Sequence, residues 1–182
     1  MALQLTKSST PKTGVNEMRS ITKLSLVVAA LVLTGTALQA QTNNASITAT
    51  ASVQTPINVV GAQQLSFGNV FPGVNKTIAA TDLTNAGRFD VTGQASTPVT
   101  ISFTLPATLG SAGNTMPIVS YTGVHAQNNA QTSGTAFSPV AGATPTLNAS
   151  GALWVWVGAQ VQPATNQAAG VYTGSITMTV VY

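Results

Sequence analysis

The stretch Val99-Thr100-Ile101-Ser102-Phe103-Thr104-Leu105 puts an apolar residue at every second position and a hydroxyl residue between each pair. A strand turns successive side chains to opposite faces, so this alternation presents Val99, Ile101, Phe103 and Leu105 to a core and the hydroxyls to water. Thr is β-branched as well as polar, which suits the wet face of a half-buried strand. The same pattern returns in Tyr172, Ile176, Met178, Val180 and Tyr182, with Thr173, Ser175, Thr177 and Thr179 between them. It occurs a third time in Ile47, Ala49, Ala51 and Val53, separated by Thr48, Thr50 and Ser52. No segment after Ala40 repeats apolar residues at helical spacing.

Less regular runs predict further strands at Pro56–Val60, Leu65–Val70, Lys76–Ala79, Arg88–Gly93, Ile118–Thr122 and Leu153–Val161. Turn-forming clusters separate them, among them Phe71-Pro72-Gly73, Asn85-Ala86-Gly87, Ser111–Asn114 and Ala141–Pro145. The polar stretch from His125 to Ser150 reads as a long surface loop with a short strand near Phe137. Short strands at this spacing predict an all-β, Greek-key sandwich. In Leu153-Trp154-Val155-Trp156-Val157 both faces are apolar. That fits a central strand covered on both sides; the sharper alternative makes Trp154 and Trp156 an exposed pair for sugar stacking or subunit contact.

The chain of 182 residues carries a formal charge of +3, but the charge is unevenly placed. Lys7, Lys12, Arg19 and Lys23 lie near the start with Glu17, whereas Lys76 and Arg88 balance Asp82 and Asp90 further on. A nearly neutral body disfavours binding to a phosphate backbone, so no nucleic-acid partner is expected. Arg19 and Lys23 followed by the apolar run Leu24–Leu33 have the order of an export signal, and small Ala40 suits the residue before the cut. Residues 1–40 are therefore read as a signal peptide, with Met18 an alternative start and no stable membrane span after cleavage. The product is exported, to the periplasm, the cell surface or the medium. Segment 41–54 and a sandwich over 55–182 remain.

Catalysis needs titratable groups, and this body has few. Asp82 and Asp90 sit beside turn sequence, and the lone His125 falls in the polar stretch. Without cysteine, thiol catalysis, thiolate metal sites and disulfides are all excluded. The expectation is no enzyme, no cofactor and no metal.

Three landmarks carry a resemblance: Thr55-Pro56-Ile57 leading into Leu65-Ser66-Phe67-Gly68-Asn69-Val70, the strand Val99–Leu105, and the ending Ala169-Gly170-Val171-Tyr172-Thr173-Gly174 through Tyr182. Over Ala45–Tyr182 they resemble a bacterial family known only as a domain of unknown function. That family is in turn similar to the spore coat protein U domain and to the pilins of archaic chaperone–usher systems. The resemblance implies an immunoglobulin-like, pilin-like sandwich that lacks one strand and receives it from a neighbour. Ala45–Val53 would be the donated strand, with Ile47, Ala49, Ala51 and Val53 as subunit contacts. Self-association, a periplasmic chaperone and an usher are the partners it implies. The absence of cysteine departs from many such relatives, which carry a disulfide near the first body strand.

Two functions follow. One is a secreted structural subunit that assembles by strand complementation; the other is a monomeric, surface-exposed module that binds carbohydrate or protein. A neutral, Thr- and Ser-rich body has little repulsion between copies, which fits the first. Export predicts a mature chain starting at Gln41, and an intact-mass measurement on envelope or medium protein checks it. A mass that retains residues 24–40 contradicts the reading.

Overall fold

The protein is described by a computed structural model over residues 42–182, and the signal-peptide reading of residues 1–40 lies outside them. The chain divides after Thr50. Of the first unit, residues 42–50 are described; they form no helix or strand and are exposed.

The unit from Ala51 onward is built of strands: β1 (Asn58–Gln63), β2 (Lys76–Ile78), β3 (Gly87–Thr92), β4 (Thr100–Thr104), β5 (Thr108–Ser111), β6 (Asn114–Ala126), β7 (Thr135–Phe137), β8 (Ala152–Val161) and β9 (Thr177–Val181). One short 3-10 turn, Gln131–Ser133, interrupts them. No helix among the described residues is long and apolar enough to cross a membrane.

Strand β8 is the spine of the larger sheet, whose order is β1-β3-β8-β6-β5. One edge of β8 carries β3 along residues 152–157 and then β2 along residues 159–161. Its other edge carries β6, which also holds β7. All these pairings are antiparallel. Between Val119 and Thr122 the register of β6 slips, with Ser120 at a φ of 52°. Such a bulge bends the strand locally while β6 pairs with β8 on both sides of it; β5 pairs with the first residues of β6, Asn114–Pro117. The second sheet consists of β4 and β9 alone.

Both sheets contribute to one core. Val91 from β3 and Leu153 and Val155 from β8 meet Val99, Ile101 and Met178 from the β4–β9 side, together with Leu147. Leu153, Val155 and Ile101 have no exposed surface. The alternation in Val99–Leu105 thus puts Val99 and Ile101 in the core, while Phe103 packs half-buried at its margin. There its ring meets Phe89 edge-on at 6.2 Å and stacks on Phe137 at 6.0 Å.

Several expected elements differ. Leu65–Val70 is not a strand: Gly68 takes a φ of 58°, which breaks the extended run, although Leu65, Phe67 and Val70 do point to a common apolar cluster. Residues 46–53 form no strand among the described residues. The final strand starts at Thr177 rather than Tyr172, since the chain through Thr173 lies instead across β5. His125–Ser150 is no free loop. Ile101 donates to Ala143 O at 2.8 Å and accepts from Ala143 N at 3.1 Å, Val99 donates to Pro145 O at 2.8 Å, and Leu147 donates to Thr97 O at 3.0 Å. This segment therefore lies along the edge of β4 that β9 leaves free, and it buries Leu147. Of the β5–β6 hairpin, the turn and the Ile118–Thr122 part of β6 were expected, and β5 was not.

Removing Leu153 tests this core. Leu153→Ala leaves a cavity where two sheets meet and should cost about 2–5 kcal/mol. Val60→Ala, at an exposed position of edge strand β1, should cost about 0.5 kcal/mol or less. Urea midpoints measure both; equal, small shifts would put the core elsewhere.

Candidate functional site

With 143–147 along β4, the edge of β9 remote from β4 is the one edge of the second sheet without a backbone partner among the described residues. Such an edge presents a row of unpaired N–H and C=O groups and is a template for another strand. Val181 stands beside it, about half exposed.

A groove lies before the start of β9, its lining reaching Ile176, the residue that precedes the strand. Leu65, Phe67 and Val70 from the segment after β1 form one wall, and Val171, Tyr172 and Ile176 form the other. Met116 and Ile118 of β6 and Val161 of β8 make its floor. The cavity measures about 1060 Å³, and no acidic or basic side chain lines it. At its mouth Phe71 is 69% exposed and Val171 81%. A large aromatic and a Val held in water at the rim of a cavity of mixed apolar and uncharged polar lining mark a candidate interaction surface.

Local sequence explains how the wall at 170–176 is held. Thr173 and Gly110 exchange two backbone hydrogen bonds, at 2.8 and 3.0 Å. This close crossing works because Gly170 and Gly174 lack side chains. A Cβ on Gly170 would meet Ser111 Oγ at 2.6 Å, and one on Gly174 would meet Leu109 Cδ2 at 2.8 Å. Tyr172 between them is fixed through its hydroxyl, which accepts from Gln167 Nε2 at 2.6 Å and donates to Ala168 O at 2.9 Å. The Gly-x-Tyr-x-Gly motif is thus a device for laying this wall on β5. Across the cluster, Tyr121 donates to Pro106 O at 2.7 Å, and burial raises its hydroxyl to about 12.

Ile47, Ala49, Ala51 and Val53 are all exposed, Ile47 and Val53 at 95%. Trp154 and Trp156 face away from the main core. Trp156 is buried under Ala80 and against Val124 and Ala126, and Trp154 is half-buried beside them. Gln131 holds this cover in place, its side-chain amide donating to Ala80 O and, at 3.1 Å, to Asp82 O. Neither the groove nor the Gln131 clamp was found by sequence reasoning; the exposed Phe71 and Val171 become meaningful only once the fold brings them together.

The few charged groups serve structure. Asp82 accepts from the backbone N–H of Thr84 and Asn85, each at 2.9 Å, closing the turn over Trp156. Those bonds, led by the Asn85 N–H, hold its carboxyl below the usual range. Arg88 and Asp90 pair along β3 at 2.9 Å. No cluster that could hold a metal occurs among the described residues. His125 lies in β6 rather than in a loop, its ring 5.7 Å from that of Phe137.

The fold defines a class: an all-β domain whose two sheets share one core, with a groove between the segment after β1 and the segment before β9. The chain belongs to the family described as domain of unknown function DUF4402, which matches residues 57–182. No curated protein matches it.

Burial lowers the pKa of His125 below its ordinary value, because the charged ring is poorly solvated there. The unfolded chain therefore binds the proton more readily than the fold. Stability should be full above the unfolded value of about 6.5 and fall as pH drops through the lower folded value. His125→Gln should flatten that dependence while leaving the acid loss tied to Asp82 at lower pH. Urea midpoints across pH check this; an unchanged slope in the variant would contradict it.

Proposed function

We propose that this is an exported structural subunit that assembles by strand complementation, the segment ahead of one body filling the groove of the next. The observation that carries the reading is the vacant place beside β9. In an immunoglobulin constant-type sandwich one sheet runs A-B-E-D and the other C-F-G. Here β1, β3, β8 and β6 stand in the order of A, B, E and D. β4 and β9 stand in the places of C and F, with no strand in the place of G among the described residues.

A donated strand would supply two things at once. Its backbone would satisfy the open edge of β9, and its alternate side chains would reach the uncharged groove, where Leu65, Phe67, Met116 and Ile118 offer apolar contacts. Segment 41–54 has the matching chemistry: it is uncharged, its apolar row has period two, and that row is exposed. Small Ala49 and Ala51 make shallow contacts, which leaves Ile47 and Val53 as the stronger anchors. A periplasmic chaperone and an usher are the partners such a subunit would require, because the open groove is an aggregation hazard until filled.

The binding-module reading has less to stand on. Trp156 is covered, and a buried indole offers no face for sugar stacking.

Electron microscopy of the mature protein tests the proposal. Wild type should form filaments, and Ile47→Asp or Val53→Asp should abolish them, since a carboxylate buried without a partner costs several kcal/mol. Both variants should keep a folded body. A folded wild type that forms no filament at any concentration contradicts the proposal.

A further inference from the structure

Three residues distant in sequence meet where the donor segment joins the body. The Tyr182 hydroxyl accepts from Gln94 N at 2.7 Å and donates to Thr55 O. Thr55 in turn donates twice to Gln94 Oε1, from its N–H at 3.2 Å and from its hydroxyl at 3.0 Å. A backbone N–H can only donate, so the Gln94 side-chain atom facing it must be the oxygen. The knot is closed: each residue bonds to the other two. Room for the phenol comes from Gly93, where a Cβ would meet the Tyr182 hydroxyl at 2.7 Å and Leu147 Cδ1 at 3.0 Å. Core packing does not require this arrangement. Tyr182 is 43% exposed and Thr55 is exposed as well.

We propose that Tyr182, Gln94 and Thr55 form an anchor that fixes where the donor segment leaves the body, and thereby the orientation of a second copy bound through it. This rests on the strand-complementation reading and adds to it a residue set and a direction. Strand β9 runs from the groove wall at Ile176 to the anchor at Tyr182, and β1 runs from the anchor at Thr55 to the groove wall at Leu65. Exit and cavity therefore lie at opposite ends of the same two strands. Held at Thr55, the segment could follow its own β9 only in the parallel sense, because both would finish at the Tyr182 end. A segment from another copy is free to enter antiparallel, the slightly more stable pairing per residue. Contacts between copies are then head-to-tail rather than isologous, and such contacts build an open filament wherever the rotation from one copy to the next does not close a ring.

Tyr182→Phe, Gln94→Leu and Gln94→Glu test the anchor in the mature chain, by amide hydrogen exchange and by electron microscopy. Tyr182→Phe and Gln94→Leu should speed exchange at Thr55 and Gln94 roughly fivefold, the loss of about one hydrogen bond, with Val91, Ile101 and Leu153 unchanged. Their filaments should show a wider spread of angles between subunits. Gln94→Glu keeps the accepting oxygen and should behave as wild type. Unchanged exchange at Thr55 and Gln94 overturns the anchor. So does equal acceleration of the core amides, which would make the knot a general brace. A wild type that forms no filaments, with the local loosening still present, keeps the anchor and removes the assembly reading instead.

Discussion

Among the described residues, strand β9 has a hydrogen-bonded neighbour on one side only, and the assembly proposed for the molecule turns on that fact. Its partner β4 is closed on the far side by the segment from Ala143 to Leu147. The larger sheet is centred on β8, which is paired along both edges. What remains unsatisfied in the second sheet, among the described residues, is one row of backbone groups, and a cavity lies before the start of β9. Unpaired strand edges are usually blunted by charge, proline or a covering loop. Near β9 the flanking residues are Thr, Ser and Val, and the groove has no charged lining. An edge left in that state is consistent with a strand arriving from elsewhere.

Holding such an edge open requires that the core not depend on it. Here the main core is complete without a further strand: Leu153, Val155, Ile101 and Leu147 are fully covered by residues of the body itself. The open region belongs to a separate cluster around Met116, Ile118, Ala159 and Val161. A body built this way can stay folded while its groove waits. Its outer face is sealed differently, by the turn at Asp82 that Gln131 pins over Trp156.

Much of this was legible in the residues, for reasons that differ by element. Val99–Leu105 and the residues from Thr177 onward declare themselves because one face is wet and the other dry, the condition under which period-two alternation appears. The two faces of β8 were readable from Leu153–Val157, since both are apolar. Leu65–Val70 misled because its side chains alternate into a cluster while Gly68 turns the backbone out of any ladder. The stretch after His125 looked like solvent-facing loop because its apolar residues are few. One of them, Leu147, nonetheless enters the core, and its neighbours bond to β4 through backbone groups that composition does not report. The groove was invisible for a similar reason: Phe71 and Val171 lie a hundred residues apart and acquire meaning only as two sides of one opening.

The vacancy beside β9 is most directly probed by hydrogen exchange of the β9 amides that point away from β4, followed as the mature protein is concentrated. If a second copy supplies the missing strand, those amides exchange freely in dilute solution and become protected as protein concentration rises, while amides of β8 stay protected throughout. Equal protection of the outward β9 amides at every concentration would contradict the account.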